Sequence, residues 1–288
     1  MLLTDAVQPC YRRFKLSVQP RGKLAPMLRP FPFHSASRCH RSFSTLSLVL
    51  AAVVMTLAGD VRAQQPLSVP SFRLDSLEGL EPVNARAEII SYEGRRALHL
   101  APLPDPNNPD ESLIALISGT NFKDGTIELE VAGSPRAGAT PDSRGFIGVM
   151  FRVQDHGKRG ENIYLRPTNG RADDQLRRNH STQYESMPDF PWFRLRKEAP
   201  GVYESYVDLL AGEWTRMKIV VSGTKAQLYV NGGDQPCLIV NDLKLGDTRG
   251  QIALWAHSST DAYFSNLTIT DSEGVRVAGP GVSGKNAK

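Results

Sequence analysis

Hydrophobic and polar residues alternate along most of the chain from Phe72 onward. The alternating stretches are short and are separated by Gly, Pro, Asn and Asp, which is typical of strands joined by turns. No window shows a convincing helical period. The pattern predicts strands near residues 72–75, 86–91, 96–101, 113–117, 125–132, 144–154, 161–166, 181–186, 191–197, 203–208, 214–221, 224–230, 237–240, 249–256 and 261–270. Many short strands at regular spacing predict one all-β domain over 64–271, a two-sheet antiparallel β-sandwich, followed by a flexible tail at 272–288.

The clearest hairpin is predicted between residues 214–221 and 224–230. Apolar side chains fall at alternate positions of both strands and share one face, whereas the charged side chains share the other. The inward set is Thr215, Met217, Ile219, Val221, Ala226, Leu228 and Val230. Such a hairpin covers a core with one face and meets water with the other.

The strands expected in the opposite sheet have a polar and aromatic outer face. Alternation places Val153 and Phe193 among the inward residues. The outward residues are Glu128, Glu130, Arg152, Asn162, Tyr164, Arg166, Trp192, Arg194 and Trp255. Aromatic rings stack on the apolar faces of sugars, and Arg, carboxylate and amide groups match sugar hydroxyls or carboxylates. This face is therefore predicted to bind a glycan, and an ordinary solvated sheet face is the alternative.

The segment 166–181 joins two predicted strands and is dense in polar residues. Loops on a rigid sandwich often carry function, so we expect this segment to form the rim of the glycan site. Its candidate binding residues are Arg171 and Arg178, beside Arg177, Asn179 and His180. Asp173 and Asp174 are candidate ligands for a structural calcium ion, and no other cofactor is expected. The alternative is a surface loop held together by Asp–Arg pairs.

The first part of the chain has a different composition. Residues 1–41 are rich in Arg, Pro and Ser, and an uncharged apolar run of 13 residues follows at 46–58. This run is shorter than the ~20 residues that span a bilayer, but it fits the apolar region of a secretory signal. Small residues in Val61-Arg62-Ala63 predict cleavage before Gln64, and Met27 is an alternative start. The mature protein is predicted to be periplasmic or extracellular, without a membrane span.

Loss of this leader, residues 1–63, changes the charge and the cysteine content. The whole chain has 34 basic and 30 acidic residues, of which nine basic and two acidic residues lie in the leader. The remaining 25 basic and 28 acidic residues give a net charge of −3. The basic character of the whole chain is therefore no argument for nucleic acid as a partner. Cys237 alone remains, within an apolar run, which excludes an internal disulfide and predicts a buried, inert thiol.

The last third of the chain carries the most recognisable succession of strands. Its landmarks are Gly212-Glu213-Trp214, Ala226–Val230, Asn231-Gly232, Gly250–Trp255 and Ala262–Ile269, with Gly125–Val131 and Gly145–Phe151 upstream. This succession resembles the concanavalin A-like lectin/glucanase superfamily, especially its laminin-G-like jelly rolls, over residues 120–270. The resemblance implies the fold and leaves the function open, because this fold hosts lectins, glycosidases, lyases and adhesion modules.

Two enzymatic interpretations follow from the resemblance. Glucanases of the superfamily carry Glu-x-Asp-x-x-Glu or Glu-x-Asp-x-Glu on one strand, whereas this chain has Glu128-Leu-Glu130 without the last Glu, which argues against glucanase chemistry. A more distant similarity to 3-keto-disaccharide hydrolase domains implies proton abstraction beside a ketone, with His180 or Glu185 as the base and an Arg as its partner. No Gly-x-Ser-x-Gly elbow is present, which argues against a serine triad of that kind.

A glycan-binding, lectin-like module is the leading interpretation of the sequence. The alternatives are a carbohydrate-active hydrolase or lyase that uses the same face, and an adhesion or structural sandwich that binds protein. A carboxylate close to His180 in an open groove would favour the enzyme. Exposed Trp192 and Trp255 without such a carboxylate would favour the lectin. The identity of the glycan and the oligomeric state stay undetermined at this stage.

Overall fold

The computed structural model describes residues 71–103 and 112–272 of the chain. This part holds fifteen strands and two short α-helices. The strands are β1 (Ser71–Phe72), β2 (Leu80–Val83), β3 (Ala85–Tyr92), β4 (Arg95–Pro102), β5 (Ser112–Phe122), β6 (Gly125–Pro135), β7 (Ile147–Gln154), β8 (Arg159–Leu165), β9 (Thr182–Met187), β10 (Glu204–Ser205), β11 (Thr215–Ser222), β12 (Lys225–Val230), β13 (Leu238–Val240), β14 (Gly250–His257) and β15 (Thr260–Asp271). The helices are α1 (Gln175–Arg178) and α2 (Trp192–Glu198).

The predicted leader and all of the predicted tail beyond residue 272 lie outside the described residues. Within the described residues, no helix is long and apolar enough to cross a membrane.

The strands form two antiparallel sheets, as the alternating pattern predicts. The eight-stranded sheet has the order β13-β12-β11-β6-β15-β4-β3, and β1 pairs with β15. The seven-stranded sheet has the order β10-β9-β8-β7-β14-β5-β2. Half of the neighbouring pairs in these two orders join strands that are not consecutive in the chain, as in a jelly-roll sandwich. The predicted fold class is therefore confirmed.

The core lies between the two sheets and is built from the inward faces of both. All seven residues predicted to point inward from the β11–β12 hairpin are buried there. Val149, Ile163 and Leu254 of the seven-stranded sheet are fully buried in the same cluster. Successive side chains of a strand point to opposite faces, so these positions alternate with polar residues at the surface of the hairpin.

One strand joins a different sheet from the one predicted. β6 pairs with β11, with Ile127 opposite Ile219, and so lies beside the hairpin in the eight-stranded sheet. The prediction that Glu128 and Glu130 share a sheet face with Tyr164 is therefore wrong. Alternation tells which side chains of a strand point the same way, but it does not tell which sheet the strand joins.

The predicted strand at 191–197 is the helix α2, so Trp192 and Arg194 do not project from a strand. The backbone of Leu195 donates to the carbonyl of Pro191 at 3.1 Å. Leu195 is the one buried residue of this helix, and Phe193, which was predicted to point inward, is 61% exposed. A run this short fits both the strand and the helix period, and alternation alone does not distinguish them.

A β-bulge in β7 reverses the predicted directions of two neighbouring side chains. The pairing of β7 with β8 shifts register between Phe151 and Gln154, and Arg152 has a φ of +53°. Val153 consequently packs in the apolar cluster on the outer face of the seven-stranded sheet. Arg152, predicted to be an outward ligand-binding residue, is instead completely buried. An inserted residue displaces the alternation by one position, which the sequence pattern does not reveal.

Candidate functional site

A groove of about 1920 Å³ runs over the outer face of the seven-stranded sheet. Side chains of β5, β14, β8 and β9 form its floor, among them Trp255, Tyr164 and Glu185. Its walls come from the loop between β6 and β7, from the segment 166–181 and from α2. The rigid sheet thus provides the floor, and the irregular segments between strands provide the walls.

One row of paired residues runs across five strands of this sheet, and its members Trp255 and Tyr164 line the groove. In order of pairing, the row is Trp255, Gly148, Tyr164, Gln183 and Glu204. A side chain at Gly148 would not fit, because its Cβ would lie 2.6 Å from the Cβ of Tyr164. Above this glycine, the centroids of the Trp255 and Tyr164 rings lie 4.8 Å apart. The row therefore changes from aromatic to polar along its length.

Arg166 lies at the polar end of the groove. Its Nη2 donates to Gln183 Oε1 at 2.9 Å and to Tyr164 Oη at 3.2 Å. Its Nη1 lies 3.7 Å from Glu204 Oε1, and the side chains of Arg166 and Glu204 are only 5% and 2% exposed. The guanidinium also lies over the Trp192 ring, 5.5 Å from its centroid. A buried guanidinium that is fixed in place and borders the groove is suited to stabilise a developing negative charge.

His180 borders the groove and contacts the buried carboxylate of Glu204. Its Nε2 lies 2.9 Å from Glu204 Oε2, and Arg196 Nε donates to Oε1 of the same carboxylate at 2.8 Å. Desolvation by burial lowers the pKa of His180; Glu204 opposes the shift, and Arg196 and Arg166 reinforce it. The ring is therefore neutral at neutral pH. The nearby carboxylate favours the tautomer that carries its proton on Nε2, which leaves the lone pair on Nδ1, as a carboxylate-oriented general base requires.

Glu185 borders the same groove and is 5% exposed. Its Oε1 accepts a hydrogen bond from Asn162 Nδ2 at 3.1 Å, and its Oε2 accepts one from the backbone N–H of Trp192 at 3.2 Å. Desolvation by burial raises the pKa of Glu185, although both hydrogen bonds and the charge of Arg166 oppose the shift. Burial thus favours the protonated carboxyl group, which is the form that a general acid needs.

The structure brings together some of the residues that the sequence singled out. Those that border the groove are Tyr164, Arg166, Asp174, Arg177, His180, Glu185, Trp192 and Trp255. Asn162 lies beneath them, hydrogen-bonded to Glu185. Trp255 is buried in the floor, whereas Trp192 is 39% exposed at the wall.

The other predicted binding residues lie outside the groove and are engaged elsewhere. Arg171 forms two hydrogen bonds with Asp208 at 2.8 and 2.9 Å. Arg178 donates to Tyr206 Oη at 3.0 Å. Arg194 Nε donates at 2.7 Å to Oε1 of Glu198, which lies one helical turn further along α2. The Arg171–Asp208 pair agrees with the alternative that part of the polar segment is a surface loop held by Asp–Arg pairs.

The two carboxylates of β6, Glu128 and Glu130, form ion pairs on the outer face of the eight-stranded sheet. Arg216 donates to Glu128, and Arg95 donates to Glu130, both at 2.5 Å. Each acid is thus neutralised by its own arginine, across the sandwich from the groove. An ion-paired carboxylate on an open sheet face is not placed to act with His180.

The candidate calcium ligands take different positions. Asp174 accepts the backbone N–H of Arg177 at 2.7 Å and caps α1, whereas Asp173 is exposed and does not border the groove. Among the described residues, no three His, Cys, Asp or Glu side chains are grouped so as to hold a metal ion. The single cysteine of the domain is half-buried, and burial raises the pKa of the Cys237 thiol to about 11. That thiol is protonated at neutral pH, as expected of an inert residue.

Sequence reasoning missed the carboxylate that organises this site. Glu204 and Gln183, which face each other in the pairing of β10 with β9, lie on strands that the pattern did predict, at 203–208 and 181–186. Alternation from Glu185 places Gln183 on the same face and would have identified it. Glu204 joins the row only through the pairing of β10 with β9, which the pattern does not specify.

The sequence matches the model of a family described as 3-keto-alpha-glucoside-1,2-lyase-like domain over residues 100–270. No curated protein matches it. Among solved structures, the carbohydrate-binding module CBM66 from Bacillus subtilis has a TM-score of 0.46 and 16% identity, covering 66% of this chain and 94% of the module. A protein of unknown function with a galectin-like fold from Bacillus subtilis has a TM-score of 0.47 and 12% identity, covering 69% and 94%.

The family match spans more than half of the chain and includes every residue that borders the groove. It confirms the resemblance to 3-keto-disaccharide hydrolase domains, and the two-sheet jelly roll confirms the concanavalin A-like architecture. The chain belongs to the family of 3-keto-alpha-glucoside-1,2-lyase-like domains.

Proposed function

We propose that this protein cleaves 3-keto-glycosides in the groove of the seven-stranded sheet. The reaction is a 1,2-elimination, in which the proton leaves C2 and the glycosidic oxygen leaves C1. The observation that carries the proposal is the contact of 2.9 Å between His180 Nε2 and the buried carboxylate of Glu204. A neutral imidazole oriented by a carboxylate is the usual form of a general base. The family of the chain supports the same class of chemistry.

The reaction begins with removal of the proton on C2, which is acidic because C3 is a ketone. Nδ1 of neutral His180 takes this proton, and the electrons of the C2–H bond form an enolate with the negative charge on the C3 oxygen. The guanidinium of Arg166, which is fixed by Gln183 and Tyr164, stabilises that oxyanion. Glu204 stabilises the imidazolium that forms, since its carboxylate contacts Nε2.

The second step breaks the bond between C1 and the glycosidic oxygen. The enolate electrons form a C1–C2 double bond, the C3 ketone is restored, and the electrons of the broken bond pass to the leaving oxygen. Protonated Glu185 donates its proton to that oxygen. The products are the alcohol of the leaving group and an unsaturated 3-keto sugar. One proton moves to His180 and one leaves Glu185, so the step needs no oxidant or reductant.

The aromatic half of the floor is suited to hold the sugar during this reaction. Trp255 and Tyr164 line the groove next to the polar half, and Trp192 stands at its wall. Aromatic rings bind the apolar face of a sugar ring, which places its hydroxyl edge toward polar neighbours. The carbohydrate-binding face predicted from the sequence thus becomes the substrate-binding half of the proposed active site.

The proposal is tested with His180→Asn, using a 3-keto-glucoside that carries a chromophoric leaving group. We expect kcat/KM to fall by about 10²–10⁴-fold, the usual contribution of a general base. A substrate with deuterium at C2 should react more slowly than the protium substrate in the wild-type protein, because the C2–H bond breaks in the first step. Release of the leaving group and formation of the enone are measured together by absorbance.

The matched control is His156→Asn, since the His156 side chain is 76% exposed and does not border the groove. Asn tolerates the positive φ of this position. This variant should retain wild-type kcat/KM. Equal losses in both variants, or the absence of any cleavage by the wild-type protein, would overturn the proposed elimination.

A non-catalytic glycan-binding module is the second candidate, favoured by the aromatic floor and the half-exposed Trp192. A glycan array of the full chain, compared with Trp192→Ala, tests it. Glycan binding that is lost in the variant, together with no turnover of 3-keto-glycosides, would support this candidate over the lyase.

A further inference from the structure

Three guanidinium groups converge on one end of the groove. Arg144 comes from the loop before β7, Arg166 follows β8, and Arg177 belongs to α1; all three border the groove. Thr168 connects two of them, because its N–H donates to the Arg144 carbonyl at 3.3 Å and its hydroxyl accepts from Arg177 Nη2 at 3.0 Å. Thr168 thus links the backbone at Arg144 to the side chain of Arg177.

Arg144 and Arg177 have few direct carboxylate partners, although Asp142 and Asp174 also border this groove. Arg177 donates to Thr168 and, at 2.9 Å, to Asn169 Oδ1, which are both neutral acceptors. In the described part of the chain, no carboxylate forms an ion pair with its guanidinium. The Arg144 guanidinium donates through Nη1 to the carbonyls of Pro141 and Ser143 at 2.5 and 3.2 Å, which are neutral acceptors. Its one carboxylate contact among the described residues is Asp142, at 3.4 Å, and that carboxylate is 96% exposed. Two like charges so close together, with weak counter-charge, are unfavourable unless an anion is present.

Electrostatics at Arg144 agree with this arrangement. Desolvation by burial lowers its pKa, and the neighbouring charges of Arg177 and Arg166 lower it further, against the opposing effect of Asp142. Arg171, which lies outside the groove, differs from these two arginines because it forms a direct ion pair with Asp208 at 2.8 Å. The contrast separates the Arg144–Arg177 pair from the ordinary ion pairs of the surface.

We propose that Arg144 and Arg177 form a subsite for an oxyanion substituent of the substrate, a carboxylate or a sulfate ester on the sugar or on its leaving group. Guanidinium groups bind such oxygens in pairs, with planar, charge-assisted hydrogen bonds. A cationic groove on a domain whose sequence carries a net charge of −3 over 64–288 also concentrates anionic ligands at the site. This inference rests on the proposed function in that it takes the groove to be the carbohydrate site.

The test compares three ligands of one shape by calorimetry with the full chain: maltose, maltose oxidised to the carboxylate at C6 of its non-reducing sugar, and maltose 6′-sulfate. We expect at least one anionic ligand to bind about tenfold more tightly than maltose, which corresponds to about 1.4 kcal/mol, because charge-assisted hydrogen bonds to guanidinium groups are strong. Preference for the carboxylate or for the sulfate identifies which oxyanion the subsite takes.

Arg177→Gln should abolish this preference, because Gln retains hydrogen bonding without the charge. Arg171→Gln is the matched control, since Arg171 is exposed and outside the groove, and it should keep the preference. Equal binding of all three ligands, or equal effects of the two variants, would overturn the subsite.

The three maltose ligands carry a hydroxyl rather than a ketone at C3, so the proposed elimination does not act on them. The binding assays therefore test the subsite independently of the lyase activity. Loss of elimination with an intact anion preference would overturn only the lyase. Elimination of a neutral 3-keto-glucoside without any anion preference would overturn only the subsite.

Discussion

His180 and Glu185 border one groove, and burial shifts their pKa values in opposite directions. The pKa of the imidazole is lowered and that of the carboxyl is raised, because desolvation disfavours the charged form of each. Both groups are thereby biased toward the neutral state, one as a proton acceptor and the other as a proton donor. The residue types alone do not reveal this, since the shifts depend on what surrounds each side chain.

A bell-shaped dependence of kcat/KM on pH is the first expected consequence. Activity should fall on the acid side as His180 becomes protonated, at a pH below the ordinary range of histidine. It should fall on the alkaline side as Glu185 ionises, at a pH above the ordinary range of glutamate. Initial rates with a 3-keto-glucoside between pH 4 and pH 9 measure both limbs.

Glu185→Gln provides the control for this profile. Gln cannot donate the proton, so kcat should fall and the alkaline limb should disappear, while the acid limb that belongs to His180 stays. An alkaline limb that persists unchanged in this variant would contradict the assignment of Glu185 as the acid.

Arg152 shows how a charged residue serves stability alone. It is completely buried and donates to the backbone carbonyls of Lys123, Gly223 and Gly246 at 2.6–3.1 Å, and to Asp124 Oδ1 at 3.1 Å. Three turns that are far apart in the chain are thereby joined at one point. The arginine that the sequence placed on the binding face is instead part of the scaffold.

Arg152→Met should lower the free energy of unfolding by about 3–5 kcal/mol, because it leaves a carboxylate and several carbonyls without their buried partner. Denaturant unfolding followed by fluorescence measures the loss. Arg171→Met is the control: it removes an exposed ion pair with Asp208 and should leave the midpoint unchanged. A midpoint for Arg152→Met equal to that of the control would contradict this role.

At the level of elements, the β7–β8 pairing sets the shape of the floor. Gly148 lies between Trp255 and Tyr164 in the cross-strand row, and the absence of a side chain there lets the two rings meet. A Cβ at this position would lie 2.3 Å from the carbonyl oxygen of Ile163, which is backbone and has little room to shift. The aromatic half of the groove therefore depends on one glycine.

Gly148→Ala should destabilise the fold by about 1–3 kcal/mol, as overpacking of a tight contact does, and should weaken binding of the sugar. Gly233→Ala is the matched control, because its nearest contact would be 3.4 Å away. Denaturant unfolding and the KM for a 3-keto-glucoside measure the two effects. Equal behaviour of the two variants would contradict the role of Gly148.

The helix α2 illustrates what element prediction lacks. Trp192, Phe193, Arg194 and Leu195 alternate in a way that fits a strand, yet the segment is helical and buries only Leu195. The helix brings Trp192 over Arg166 and places its backbone N–H on Glu185. Packing against the sheet, rather than local pattern, decides the state of so short a segment.

At the scale of the whole molecule, the predicted leader determines the charge that the mature protein carries. Residues 1–63 hold nine of the basic residues and two of the acidic ones, so their removal turns a net charge of +4 into −3. We expect export and cleavage before Gln64, with the mature sandwich in the periplasm or outside the cell.

Intact mass and N-terminal sequencing of the exported protein test this expectation, and a chain beginning at Gln64 is the expected result. Ala63→Phe should block cleavage and leave the precursor, because the enzyme that removes the signal needs a small residue there. An exported protein that retains residues 1–63 would contradict the prediction.

The sequence by itself determined the all-β class and the inward faces of the β11–β12 hairpin. It also determined the succession of strands that resembles the concanavalin A-like superfamily. These follow from local alternation and turn residues, which need no knowledge of distant parts of the chain. It also singled out Tyr164, Arg166, His180 and Glu185. Only the tertiary structure decided which of the candidates act together. Strand pairing brought Glu204 beneath His180, a bulge buried Arg152, and the choice of sheet carried Glu128 to the other side, because each depends on contacts between residues far apart in sequence.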